Sequence, residues 1–146
     1  MKTNASIVNA AQSDLNEIED ILRRNNLPIK DFSESEIVFY IVKDENEIIA
    51  CAGIEKFENI ALLRSVVIKE ELRGAGLGSQ FIDQILFKVK ESNFIELYLL
   101  TENAEGFFSK KRFTSINREK APECIKTSSE FSSICPSTAI LMRNIL

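Results

Sequence analysis

Gly74, Gly76 and Gly78, three glycines within five residues of the run Arg73-Gly74-Ala75-Gly76-Leu77-Gly78, are the positions in this chain best suited to chemistry. A diphosphate needs several backbone NH donors aimed at one point and no side chains in the way. Glycines that follow a strand and open a helix provide both, and the helix dipole favours the anion. Two familiar phosphate motifs fail on spacing. A dinucleotide fingerprint would place its third glycine where Ser79 stands, and no glycine here is followed by Lys-Ser/Thr as a P-loop requires. What remains is Arg-x-x-Gly-x-Gly, set against the plainer reading that the glycines only make a tight turn and start a helix.

Other chemical groups are few. The chain has no histidine, which removes Ser-His-Asp and Cys-His nucleophiles, imidazole acid/base work and every zinc site needing an imidazole ligand. Arg64 lies in an apolar run, Leu62-Leu63-Arg64-Ser65-Val66. A charge taken out of water needs a partner or a ligand. Three readings stand for it: a bidentate hold on a ligand carboxylate, a salt bridge to Glu55 or Glu58, or exposure at a rim. Glu55 ends another apolar run and is the candidate general base, against the reading of an ordinary surface carboxylate.

The elements that must position these groups follow from apolar spacing. Residues 13–26, with Ser13 as N-cap and Leu15, Ile18, Ile21 and Leu22 three or four apart, predict a helix. Residues 29–35 read as a short helix or structured loop. Ile37 to Lys43 and Ile48 to Phe57 predict a hairpin across Asp44-Glu45-Asn46-Glu47. Leu62 to Ile68 adds a third, central strand covered on both faces. A helix then runs from Leu77 to about Glu91, opening directly out of the glycines. Phe94 to Leu100 predicts a strand parallel to 62–68 through a right-handed crossover. A short helix at 104–111, a brief strand at 113–117, an irregular ligand-covering loop at 118–136 and a final strand at 138–145 complete a single α+β domain, residues 1–146.

Composition sets the class. An apolar content of 45% over 146 residues supports one core, and 22 acidic against 18 basic residues, a net charge of −4, gives no general attraction for nucleic acid or anionic lipid. The start of the chain lacks the apolar core of a signal peptide, and no apolar run is long enough to span a bilayer, so a cytoplasmic protein is expected. Three widely spaced cysteines, Cys51, Cys124 and Cys135, argue for reduced thiols rather than a disulfide framework.

With its Arg73, Gly76 and Gly78, the loop resembles that of the GNAT superfamily of N-acetyltransferases, which reads Arg/Gln-x-x-Gly-x-Gly/Ala. Leu27-Pro28-x-x-Asp31, Ala52-Gly53-Ile54-Glu55, Leu62-Leu63-Arg64-Ser65-Val66, Leu97-Tyr98-Leu99-Leu100-Thr101, Phe107-Phe108 and Glu130-Phe131 through Cys135-Pro136-Ser137 look like the arsenic-resistance-associated members. Those are in turn similar to amino-acid N-acetyltransferases. The resemblance implies a mixed central sheet, an antiparallel meander plus a splayed parallel pair, flanked by helices. It also implies acetyl-CoA as cosubstrate and no metal. Val66, Val67 and Ile68 would pair with the pantetheine arm, and the NH groups of Arg73, Gly74, Ala75, Gly76, Leu77, Gly78 and Ser79 would hold the pyrophosphate. Arg64, Ser65 and Cys135 would face a small, amino-acid-like amine acceptor, and the amine would attack the thioester directly. A monomer or homodimer is expected.

Two departures bear on activity. Many members carry Phe-Tyr-x-x-x-Gly-Phe, whose Tyr protonates the departing thiolate; here the segment is Phe107-Phe108-Ser109-Lys110-Lys111-Arg112-Phe113, with Phe108 at the Tyr position and Arg112 at the glycine. The alternative is therefore a degenerate acyl-CoA-binding sensor or scaffold without turnover. Cys135 with Cys124 offers a thiophilic arsenical ligand pair, against the reading of small buried hydrophobes. Cys51 and the cluster Phe81, Phe87, Phe94, Phe107, Phe108 and Phe113 read as core. Lys110-Lys111-Arg112 is either a contact for the adenosine 3'-phosphate or a solvated helix end.

Overall fold

Six successive residues, Ile60 to Ser65, are buried, which only a strand covered on both faces allows. That strand is the middle one of a seven-stranded sheet in a computed structural model that describes residues 7–27, 29, 36–69, 76–128, 131 and 138–146. In chain order the elements are β1 (Val8–Asn9), α1 (Leu15–Arg24), β2 (Ile37–Asp44), β3 (Glu47–Phe57), β4 (Ile60–Ile68), α2 (Leu77–Glu91), β5 (Glu96–Thr101), α3 (Glu105–Ser109), β6 (Thr114–Ile116), α4 (Glu123–Lys126) and β7 (Ile140–Ile145). The sheet order is β1-β2-β3-β4-β5-β7-β6, and β4 with β5 is its parallel pair.

The meander forms where the turns were expected. Glu45 and Asn46 both take positive φ, 50° and 69°, the mirror-image turn that matches the twist of a hairpin. Glu58 turns β3 into β4 at φ 51°. α2 crosses from β4 to β5 and buries Phe81, Ile82, Ile85 and Val89 against Ala61, Leu63, Leu97 and Leu99. Each such side chain contributes roughly 1.5–3 kcal/mol of burial. On the opposite face α1 sets Ile18, Ile21 and Leu22 on Phe39, Ile41, Cys51 and Val67. Farther along that face, Ala121 and Ile125 cover Leu62, Tyr98 and Leu141.

Several expectations need correction. The first helix does not start at a Ser13 cap: residues Gln12–Asp14 form a 3-10 turn, and the Asp14 carboxylate accepts the Ala11 NH at 2.7 Å. The segment 118–136 is not wholly irregular, because it contains a 3-10 turn at Arg118–Lys120 and α4, whose Ile125 is fully buried. β5 starts at Glu96 rather than Phe94, since Asn93 turns through φ 68° and Ile95 donates to Asn59 O. β1 was not foreseen, and β7 lies between β5 and β6. The expected short element at 29–35 falls almost entirely outside the described residues.

Candidate active site

Parallel strands that stop pairing while both continue must leave a gap between them. β4 and β5 pair at Ile60 with Glu96, Ala61 with Leu97 and Leu62 with Tyr98, yet β4 runs on to Ile68 and β5 to Thr101. The opening lies at the carboxyl ends of both strands, where α/β crossovers commonly place ligands.

A bulge sharpens the bend of β4 there. Arg64 stands opposite Gly53 and Val67 opposite Cys51, so Ser65 and Val66 together oppose Ala52 alone. Ser65 takes φ 56°, a left-handed conformation that costs a non-glycine residue about 1–3 kcal/mol and persists only when its surroundings hold it. It is buried. The extra residue flips the side-chain alternation, so Leu62 and Val67, an even and an odd position, face the same side of the sheet. Lys69 donates its NH to Ile49 O, so the alternation of an antiparallel ladder turns the main chain of Val66 away from β3, toward the opening.

α2 begins at this opening. Its N-cap, Gly76, has φ 79°, and a Cβ added there would meet nothing among the described residues within 4 Å. Glycine is therefore required by backbone conformation, and the space beside it is open. Gly78 has the opposite reason: a Cβ would come within 3.1 Å of Ile68 Cδ1, so its absence lets α2 seat on the end of β4. Arg73, Gly74 and Ala75 lie outside the described residues, as does Cys135.

Lys111 reaches the same helix start from the other side of the opening. Its ammonium donates to Ser79 Oγ and, at 2.9 Å, to Asp83 Oδ1. Its carbonyl accepts from Asn144 Nδ2 at 3.0 Å, and the Asn144 side chain belongs to buried β7. A cation at a helix N-terminus opposes the dipole. Of the basic run, Lys111 is thus not a solvated helix end; its side chain is only 13% exposed.

Arg64 and Glu55 settle one of the open readings. Arg64 Nη1 donates to Glu55 Oε1 at 3.0 Å, with both side chains almost fully buried, and Arg64 Nε donates to Ser65 Oγ at 3.4 Å. The pair occupies the face that carries Leu62 and Val67, between the parts covered by Ala121 and Ile125 on one side and by α1 on the other. Glu55 is accordingly no surface carboxylate. Removing one member would strand a buried charge.

The remaining titratable groups near β4 and β5 suit structure. Burial pushes the Cys51 thiol up to about 12, and its Sγ lies 3.7 Å from Ser65 O. Tyr98 is likewise pushed up to about 12 by burial and by its hydrogen bond to Glu96 Oε1 at 2.8 Å. Phe108 and Phe113 are buried and edge-on to each other, as the core reading required, whereas Phe107, edge-on to Phe108, is 38% exposed and is not core. Phe87 is 62% exposed and is not core either. No group of metal-ligating side chains occurs among the described residues, and none of their helices is long and apolar enough to cross a membrane.

Sequence reasoning missed the Ser65 bulge, the Lys111 to Ser79 contact and the Asn144 support. The bulge has no sequence signal, because serine rarely takes positive φ; the basic run did flag Lys111.

Known proteins share this sequence pattern and fold. A chain 27% identical over 88 residues, 60% of this chain and 56% of its own length, is an uncharacterized N-acetyltransferase of Chlorobaculum tepidum; the present chain thus spans about half of it. The fold superposes on N-acetylglutamate synthase from Neisseria gonorrhoeae, complexed with coenzyme A and N-acetyl-glutamate, at TM-score 0.80 and 16% identity, over 100% of this chain and 36% of that one. It also superposes on the ribosomal-protein-S18-alanine N-acetyltransferase of Escherichia coli at TM-score 0.74 and 16% identity, covering 96% and 92%. The acetyltransferase (GNAT) domain model matches residues 35–115, which is more than half of the 146 residues and contains the bulged strand, the glycine run and α2. On that match the chain belongs to the GNAT acetyltransferase domain family.

Proposed function

We propose that the chain is an acetyl-CoA-dependent N-acetyltransferase acting on the primary amine of a small, amino-acid-like acceptor. The observation that carries this reading is the gap between β4 and β5 beyond Leu62 and Tyr98, with a bulge at Ser65 and a glycine-started helix at its mouth. Family membership makes acetyl-CoA the ligand whose shape fits it. Its pantetheine would run along Val66, Val67 and Ile68, and its diphosphate would meet the NH groups of Arg73 to Ser79, with Lys111 supplying a positive charge.

The chemistry needs no protein nucleophile. A neutral amine attacks the thioester carbon, the carbonyl oxygen gains charge, and the carbon–sulfur bond then breaks as the CoA thiolate departs and the nitrogen loses its extra proton to water. A main-chain NH at the Ser65–Val66 bulge would stabilise that oxygen, and binding both reactants in one cleft would supply proximity. The Glu55–Arg64 pair sits close by in sequence and register and would underlie the acceptor end of the cleft, with Glu55 fixing the buried Arg64. Glu55 as general base is the weaker role, since one oxygen is held by the guanidinium. A neighbour named as N-acetylglutamate synthase supports the amino-acid class, while one named for ribosomal-protein alanine points to a protein terminus. We read residues 1–146 as one cytoplasmic domain, a monomer or homodimer.

A second reading rests on Phe108, which packs in the core without a hydroxyl where the family's thiolate acid would stand. The chain would then bind acyl-CoA without turnover. Free-thiol release from acetyl-CoA, measured over amino acids, their analogues and alanine-starting peptides, separates the possibilities. Release with amino acids supports the proposal, release with peptides alone moves the acceptor to a protein terminus, and CoA binding without release on any acceptor favours the second reading.

A further inference from the structure

Arg118 makes a set of contacts that a surface arginine would not need. Its Nη1 donates to Ala139 O at 2.8 Å, its Nη2 donates to Phe131 O at 3.4 Å, and its guanidinium lies 4.4 Å from the centre of the Phe131 ring. One planar fork thereby joins two points of main chain eight residues apart and stacks on a third surface. The turn that carries it is fixed locally, because Asn117 Oδ1 caps it by accepting the Glu119 NH at 2.9 Å. Downstream, Ser128 Oγ donates to Ile125 O at 2.6 Å and accepts the Phe131 NH at 3.3 Å. Arg118, α4, Ser128 and Phe131 are therefore one tied segment.

That segment lies against the face of β4 that holds the buried ion pair. Ala121 and Ile125 cover Leu62, and Arg64 follows Leu62 by two residues on the same face of the strand. We propose that Arg118 is a positioning residue for the acceptor side of the cleft: by holding Phe131 and Ala139, it sets the flank of the site next to Arg64. The inference rests on the transferase reading above. Arg118 touches neither cofactor nor acceptor in this account, so it acts on how well the acceptor is held and not on acetyl-CoA.

The experiment compares wild type with Arg118→Gln and Arg118→Lys in steady-state acetyl transfer to the best acceptor of the amino-acid panel, with each substrate varied in turn. Arg118→Gln is expected to raise the acceptor KM about tenfold, the loss of a charge-assisted hydrogen bond of about 1.5 kcal/mol, while the acetyl-CoA KM stays within about twofold. Arg118→Lys, which keeps the charge but not the fork, should fall between. Equal changes in both KM values, or none, would overturn the inference. Should Arg118→Gln fail to fold, the same split is read on Arg118→Lys, with the CoA dissociation constant as the check on folding. A wild type that binds CoA but turns over no acceptor overturns the transferase reading, and this inference falls with it. A turning-over wild type with unmoved variants overturns the inference alone.

Discussion

Replacing Gly76 by alanine separates ligand binding from folding, because the structure assigns the two effects different sizes. The added Cβ meets no atom of the described residues within 4 Å, so the folding cost is the left-handed φ of 79°, about 1–2 kcal/mol. Alanine also lowers the entropy of the unfolded chain, worth about 0.4–1 kcal/mol in the other direction. The net loss is about 1 kcal/mol. For a chain of 146 residues, an unfolding entropy of roughly 2.1 cal/mol/K per residue converts that loss to a fall of about 3 °C in Tm. The methyl group, however, enters the space assigned to the diphosphate. Losing one charge-assisted hydrogen bond there costs about 1.5–3 kcal/mol, so CoA affinity should fall roughly 10- to 150-fold. Titration calorimetry with CoA and a thermal melt, run on the same two proteins, read both numbers. CoA affinity within about twofold of wild type would refute the placement of the diphosphate, and a Tm fall beyond about 10 °C would refute the open space beside Gly76.

Lys111→Gln should weaken CoA about tenfold. Equal losses with CoA and 3'-dephospho-CoA would assign Lys111 to the diphosphate, a loss with CoA alone would assign it to the 3'-phosphate, and no loss with either would contradict its role. Arg64→Met strands the buried Glu55 carboxylate and should cost about 3–5 kcal/mol in urea unfolding, with most of it recovered in the Arg64→Met, Glu55→Gln double variant. A single-variant cost under about 1 kcal/mol would contradict the buried pair. Asp14 is held below the ordinary carboxylate range by its hydrogen bonds from Lys43, at 2.7 Å, and from the Ala11 NH. Its contribution is therefore complete above the unfolded carboxylate value and is lost as pH falls through the lower folded value. Asp14→Asn should be destabilised at pH 7, and the gap to wild type should close below about pH 4; a gap unchanged at pH 3 would count against this.

What could be read from the chain and what could not divide along local and long-range lines. α2 runs from Leu77 to Glu91 as its apolar spacing required, since Phe81, Ile82, Ile85 and Val89 mark one helical face within a few turns. The hairpin turn at Glu45-Asn46 and the parallel crossover were equally legible, the first from local turn residues and the second from the strand-helix-strand order. The partner of Arg64 was not, because choosing Glu55 over Glu58 needs the β3–β4 register, which the residue types of the two strands leave open. The insertion of β7 between β5 and β6 depends on pairing across more than twenty residues, and nothing local encodes it. α4 escaped notice because its four residues, Glu123 to Lys126, are too few to show a period, and Ile125 alone reports their burial. At the first helix, Ser13 and Asp14 are both good caps by type; Asp14 takes the N-cap place but makes no side-chain cap bond, because its carboxylate is engaged by Lys43 and the Ala11 NH.

The most direct test of the central claim is a calorimetric titration of acetyl-CoA into the wild-type protein. Saturable binding of one acetyl-CoA per chain is the predicted result, since the proposed site runs from the gap between β4 and β5 to the start of α2. No heat of binding and no protection of the thioester at millimolar acetyl-CoA would contradict it, for both the transferase and the non-catalytic reading require that site to be filled.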